Sequence, residues 1–294
     1  MDLSETLKAC QHLHKNMPQI VDQEINFIKN NQVEIIVGDI PPLCFEIARR
    51  TKIPSIAITN FTWDFIYRTY LQEYPNFLPL IEEMERFYGQ ATLALTLPYS
   101  CQMDVFPRRE AIPWITRVSP LTKDEAREKF ALPRSAVIVL LSFGGLGLNR
   151  FLWEELRKLS RYYFISTGEA ITENGNLRIF PDAQRSYADL VRASDVIVSK
   201  PGYGIVADAI AHQAPMLYTD RGEFAEYPML VKALHECATA EFIPQADLLA
   251  GKLAPYLKRV LNKPRNASCV VIDGAKLAAK KVLSLLDTPI NPAM

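Results

Sequence analysis

An α/β protein of two domains, each built on a parallel sheet, is what this sequence predicts, and three observations carry the prediction. From about residue 18 onward, short β-branched runs alternate with stretches of helical spacing. The strand runs, such as "VEIIVGD" and "AVIVLL", are almost continuously apolar, as strands covered on both faces are. A chain of 294 residues, 49% of them hydrophobic, can fill two cores of roughly 150 residues each.

Residues 1–31 read as polar helices, and the first strand is expected at 33–39. In "PPLCFEIARRTK" proline stands at the start, and Leu43, Cys44, Ile47 and Ala48 mark one face of a helix. A strand at 53–59 follows, then helical spacing in "NFTWDFIYRTYL" and "PNFLPLIEEMERFYG", then a strand in "ATLALTL". The segment from Pro98 to Pro120 has no clear period and is taken as the approach to a linker, which divides the chain into domains 1–120 and 121–294. After it, Thr122 and Glu125 in "TKDEAREKF" have capping-box spacing. The second half alternates more clearly, with strands at 136–142, 162–167, 195–199 and 215–219 and helices at 150–160, near 185–193 and at 203–213. Helices near 224–236, 245–261 and 270–286 complete it.

Charge narrows the partners. Lysine plus arginine equals aspartate plus glutamate at 33 each, so no basic field favours nucleic acid or an anionic membrane, and a charged ligand must be held locally. No apolar run reaches the ~20 residues of a spanning helix, and the start lacks a basic region followed by an apolar core. Cys10, Cys44, Cys101, Cys237 and Cys269 are scattered and free of C-x-x-C spacing, which fits reduced thiols and a cytoplasmic location. His12 and His14 have no further ligand at metal-site spacing and are read as a solvated helix face.

Parallel sheets place ligands at the carboxyl ends of their strands. Two strand ends in the second domain run into glycines: "VIVLLSFGGLGLN" through Ser142 to Gly144, Gly145 and Gly147, and "DVIVSKPGYG" through Lys200 to Gly202 and Gly204. Glycine admits close approach of a ligand to the backbone, and a following helix offers free N–H groups to a phosphate. The same glycines serve a plain strand-to-helix turn, but two such loops on neighbouring strands would border one crevice. A second reading stands beside this one. "GYGIVA" fits G-x-G-x-x-[GA], and Asp220 closes the next strand, as in a nicotinamide dinucleotide site; Pro201, just before the first glycine, counts against it.

"ASDVIVSKPGYGIVADAIAHQAPMLYTDRGEFAEYPML" resembles the donor-binding segment of GT-B glycosyltransferases, in particular the MurG-like type and the glycosyltransferase-like region of L-arabinokinases. "VGDIPPLCFEIARRTKIPSIAITNFTWDFIY" is similar to the first half of that same region. The resemblance implies two Rossmann-like domains of the GT-B type and a nucleoside diphosphate sugar, UDP-sugar first, as substrate, with no separate cofactor and an unknown acceptor. On that reading Ser142, Gly144 and Gly145 lie near the diphosphate, Lys200, Gly202, Tyr203 and Gly204 line the same pocket, and Asp208 meets the ribose. Glu226 and Tyr227 stand where the family carries an Asp-Gln or Gln-Gln pair for the donor sugar. Arg221, like Lys200, is placed to steady the departing diphosphate, and Glu223 joins the same loop; both also read as solvated charges.

Domains of this family open with a strand and a glycine loop bearing a histidine base, an element this sequence does not contain. Its first strand corresponds to a later one of the family, so a shortened N-terminal domain is expected. Asp39 occupies the place of the residue that orients the histidine, and it either acts as base itself or caps the helix starting at Pro41. Asn60, Trp63 and Asp64 are the acceptor-side candidates; Asn60 also suits a helix N-cap, and Trp63 with Tyr67 also suits a core face. A catalytically inactive nucleotide-sugar-binding protein is the alternative to the transferase. Without a G-x-x-x-x-G-K-[ST] loop, sugar phosphorylation is not expected.

Overall fold

The computed structural model describes residues 2–143, 153–168, 172–181, 186–266 and 270–286. It falls into two compact units, Met1–Ile115 with Asp273–Met294, and Thr116–Ile272. Residues 270–286, read from the sequence as the end of the second domain, thus contribute their helix to the first.

Unit 1 opens with helix α1 (Leu3–Asn30), capped by the Asp2 carboxylate, which accepts from the Glu5 amide at 3.0 Å. The polar reading of this stretch holds, but as one continuous helix: only a narrow stripe, Val21 and Ile28, is buried, against Ile47. Strands β1 (Ile36–Gly38), β2 (Ser55–Thr59), β3 (Leu93–Thr96) and β4 (Arg109–Ala111) form an all-parallel sheet in the order β1-β2-β3-β4. Helix α2 (Leu43–Thr51) ends on Lys52 in the left-handed region, φ 58°. Its Glu46, 2% exposed, is gripped by Arg49 and Arg50, which hold its carboxyl down at about 2. Helices α3 (Trp63–Arg68) and α4 (Leu78–Tyr88) follow β2, with a 3₁₀ turn at Pro75–Phe77 between them.

Both faces of this sheet are covered. Phe45, Tyr88 and Phe106 pack on Ala57 and Ala94, while Ala278 of the C-terminal helix packs with Ile56, Leu93, Leu95 and Ile112. Strand β4 lies inside the segment read as aperiodic. Its sequence, Arg109-Glu110-Ala111, offers no alternation because it is a three-residue edge strand with a mostly exposed pattern.

Unit 2 begins with α5 (Lys123–Lys129), whose capping box is present in both directions: the Glu125 amide donates to Thr122 Oγ1 and the Thr122 amide to Glu125 Oε2. Its sheet comprises β5 (Val137–Ser142), β6 (Tyr162–Gly168), β7 (Thr172–Asn174), β8 (Leu177–Pro181), β9 (Val196–Ser199), β10 (Met216–Tyr218) and β11 (Ala240–Phe242). They run in the order β11-β10-β9-β5-β6-β8-β7, parallel throughout except for β7. The helices described are α6 (Trp153–Arg157), α7 (Tyr187–Ala193), α8 (Tyr203–Ala211), α9 (Tyr227–Cys237), α10 (Gln245–Leu249) and α11 (Ala254–Asn262). The helix expected at 245–261 is two helices, because Gly251 turns the chain at φ +71° between them.

The chain's last helix, α12 (Gly274–Leu286), starts against backbone of its own unit: the Gly274 amide donates to the Trp114 carbonyl at 3.2 Å. A Cβ at Gly274 would stand 2.1 Å from the Pro113 carbonyl oxygen. Substituting Gly274→Ala is therefore expected to destabilise unit 1 by about 1–3 kcal/mol, read as a lower denaturation midpoint with an unchanged denaturant slope.

Candidate functional site

The two strand ends that lead into glycines are neighbours in the sheet. β5 and β9 pair in parallel, with Ser142 opposite Ser199, and β10 pairs with β9 so that Tyr218 is opposite Ser199. Side chains join the ends: Ser199 Oγ donates to the carbonyls of Ser142 and of Lys200, the latter at 2.9 Å. Ser142 Oγ lies 2.5 Å from the Tyr187 hydroxyl, whose burial pushes it up to about 12. Of the first loop, Ser142 and Phe143 are described, whereas Gly144, Gly145 and Gly147 lie outside the described residues.

The second loop is described in full. Lys200 is exposed, Pro201 is buried, and Gly202 is the N-cap of α8 in extended geometry at φ -128°. Among the described residues no side chain caps this helix, and none has an atom within 4 Å of a Cβ built on Gly202 or on Gly204. The loop therefore presents amides and open space at the start of a nine-residue helix, the arrangement an anionic group uses. Tyr203, the first residue of α8, is half-buried, and its phenol is pushed up by burial and then by the Glu226 carboxylate.

Asp208, two turns into α8, is half-buried, accepts from Thr116 Oγ1 and is pushed above the usual carboxylate range by burial. Thr116 belongs to an irregular segment clasped to this helix: the Ser119 amide donates to His212 Nε2 at 3.1 Å, and Ser119 Oγ to Asp189 at 2.6 Å. Since His212 Nε2 accepts, Nδ1 carries the hydrogen and donates to the Asp208 carbonyl at 2.8 Å. Burial accordingly holds His212 below its ordinary value of 6.5.

Arg221 is not a solvated charge. Its Nη1 donates to Glu226 Oε2 at 2.7 Å and to the Pro201 carbonyl at 3.3 Å, and its guanidinium stands 4.3 Å over the Phe224 ring. It thus joins the loop after β10 to the glycine loop after β9. Glu226 is 2% exposed and half-buried Tyr227 opens α9, while Glu223 is exposed.

In unit 1, Asp39 follows β1 and is exposed as a residue, yet desolvation of its carboxyl raises it more than the contact with Thr59 lowers it. It does not cap α2, whose N-cap is Pro42 with no side-chain bond, because the prolines at 41 and 42 set the chain direction there. Nor does Asn60 cap α3: the N-cap is Thr62, and Asn60, 6% exposed, accepts through its carbonyl from the Cys101 amide at 2.8 Å. Trp63 and Tyr67 do share a face and stack at 5.4 Å and 20°. Asp64 is 7% exposed, has an Oδ1 with no hydrogen-bond partner among the described residues, and is raised mainly by burial.

Sequence reasoning missed Tyr187, Thr116, Ser119 and His212. Each acts across 45 to 93 residues of chain, a separation over which no local spacing speaks. His212 is the one with a visible mark, as a lone histidine at the end of an apolar helix.

Two Rossmann-like sheets in one chain define the GT-B glycosyltransferase fold, and solved structures similar to this chain are of that kind. CalG4, the calicheamicin glycosyltransferase, is 13% identical with a TM-score of 0.63, covering 100% of this chain and 82% of that one. MurG of Acinetobacter baumannii is 13% identical at TM-score 0.56, covering 92% and 78% respectively. UGT89C1 of Arabidopsis thaliana, complexed with quercetin, is 13% identical at TM-score 0.61, covering 96% and 78%. Among curated proteins, L-arabinokinase of Arabidopsis thaliana is 26% identical over 246 residues, 83% of this chain. This chain spans about a quarter, 24%, of the length of that relative. No protein-family model matches the chain. No helix among the described residues is long and apolar enough to cross a membrane.

Two expectations follow from the geometry. Removing the Arg221 cation leaves the Glu226 carboxylate buried without its partner, so Arg221→Ala should destabilise unit 2 by roughly 1–3 kcal/mol, with part recovered in the Arg221→Ala, Glu226→Gln double variant on chemical denaturation. For His212 the folded state disfavours the proton, so its contribution is complete above 6.5 and is lost as pH falls from there through the lower folded value. The stability gap between wild type and His212→Asn, measured by denaturant titration, is expected to narrow across that window and to stay constant above it.

Proposed function

We propose that unit 2 holds a nucleoside diphosphate sugar, UDP-sugar first, and that the protein transfers the sugar to an acceptor hydroxyl. The observation that carries this reading is the pairing of β5 with β9, which sets Ser142 opposite Ser199 and starts two glycine loops side by side. In this reading the diphosphate lies over the amides at Gly202, Tyr203 and Gly204, with Ser142 close by, and Lys200 supplies the facing charge. Asp208 accepts from the ribose hydroxyls. Arg221, bonded to Glu226, shapes the loop that carries Glu223, Glu226 and Tyr227 to the donor sugar. Transfer breaks the bond between the anomeric carbon and the diphosphate and forms one to the acceptor oxygen, whose proton goes to Asp39. The raised carboxyl of Asp39 is the better base for it. Asn60, Trp63 and Asp64 are proposed to serve the acceptor. The likeness to an L-arabinokinase and to GT-B structures supports this reading of the fold's use.

Thermal denaturation with UDP, GDP and dTDP sugars tests the binding half. A true ligand at 100 times its Kd is expected to add ~2.7 kcal/mol, and no response to any of them would sink the reading. Gly202→Val is the diagnostic variant. A Cβ built there meets no atom of the described residues within 4 Å in an extended backbone, so the unliganded midpoint should hold while nucleotide-sugar affinity falls at least tenfold. If binding persists in the wild type but a broad acceptor panel shows no turnover, the chain is a nucleotide-sugar-binding protein; a transfer rate that drops in Asp39→Asn decides for the enzyme.

A further inference from the structure

Tyr187 opens α7, and its phenol meets the end of β5, 45 residues away in the chain, with its hydroxyl 2.5 Å from Ser142 Oγ. Both partners are held by their own elements. Beneath α7, Leu190 and Val191 are buried, and its Asp189 accepts from Ser119 Oγ and from Lys129 Nζ, each at 2.6 Å. Ser142 is paired opposite Ser199, whose Oγ donates to the Ser142 carbonyl. The two hydroxyls therefore meet because a packed helix and a packed strand carry them, which fixes their geometry before any ligand arrives.

The bond has a direction. Burial pushes the Tyr187 phenol up to about 12, with the Asp208 carboxylate adding to it and the Ser142 contact opposing, so the phenol keeps its hydrogen across the neutral range. A phenol is the stronger donor of the two hydroxyls and a serine oxygen the stronger acceptor, so Tyr187 donates to Ser142 Oγ. The hydrogen on Ser142 itself is then left for a further acceptor. A hydroxyl that accepts one bond donates the next more strongly, because linked hydrogen bonds polarise one another. Held in this way it faces an anionic oxygen as a donor; left to rotate, it also turns its lone pairs toward the anion.

We propose that Tyr187 is a positioning residue of the nucleotide site: without touching the ligand, it fixes the Ser142 hydroxyl as a donor to a phosphoryl oxygen. The inference rests on the reading of unit 2 as a nucleoside diphosphate sugar site and adds to it the residue that aims Ser142. Two substitutions separate the links. Tyr187→Phe keeps the ring and frees the serine hydroxyl to turn, whereas Ser142→Ala removes the only route by which Tyr187 acts on the ligand.

The test is a double-mutant cycle on the full chain, with calorimetric affinities for UDP, GDP and dTDP in wild type, Tyr187→Phe, Ser142→Ala and the double variant. For a nucleotide that the wild type binds, Tyr187→Phe is expected to weaken binding about fivefold and Ser142→Ala at least as much. The double variant should bind like Ser142→Ala alone. Losses that multiply would overturn the inference, because a phenol that touches the ligand, or one that only supports the fold, acts with or without the serine oxygen. Wild-type affinity in Tyr187→Phe would overturn it as well. Either of these results refutes the role of Tyr187 and leaves the nucleotide site standing, whereas binding of none of the three nucleotides refutes both together.

Discussion

The pairing of β5 with β9 is the constraint on which the candidate site depends. These strands lie far apart in sequence, and their parallel register puts Ser142 opposite Ser199 in the middle of a seven-stranded sheet. Val139, Leu141, Val196 and Val198 on one face and Ile138, Leu140 and Ile197 on the other have no more than 1% of their surface exposed, so the pair is packed into the core on both sides. Ser199 Oγ adds a bond to the Ser142 carbonyl at the point where both loops begin. Loop placement follows from packing, not from the loops themselves.

Around that centre the site is held from two sides. The segment at 116–119 is clasped to α7 and α8 through Asp208, His212 and Asp189. Arg221 reaches from the loop after β10 to the Pro201 carbonyl and to Glu226. The half-buried charges are thus satisfied by partners from other elements, which keeps Asp208 at a defined place on its helix. The two units also differ in character: the second has polar strand ends beside glycines, the first a largely apolar cavity with Glu83 and the Tyr67 hydroxyl among its walls.

Much of this was legible beforehand. The alternation of apolar strands with helices predicted the α/β class, and the Thr122–Glu125 capping box was read correctly because a cap is a contact between residues three apart. Strand β9 and helix α8 fall within a residue or two of expectation, since a buried strand and an apolar helix both announce themselves in composition. The β7–β8 hairpin was overlooked although "ENGN" carries its turn signal, with Gly175 at φ +61°. Strand β11 was overlooked for another reason: three residues with a buried, half-buried and exposed pattern have no measurable period.

The sequence by itself determined the class of fold, the glycines at two strand ends and the carboxylate eight residues after Lys200, because each is a property of adjacent residues. Only the tertiary structure decided that those two strands are neighbours, that Arg221 is bonded to Glu226, and that Asp39 and Asn60 cap nothing. It also placed the last helix on the first sheet, where Ala278 meets Ile56 and Leu93 across more than 180 residues. The physical reason is common to all of these: burial and ion pairing depend on which surfaces meet, and the meeting of surfaces is settled by the packing of whole elements.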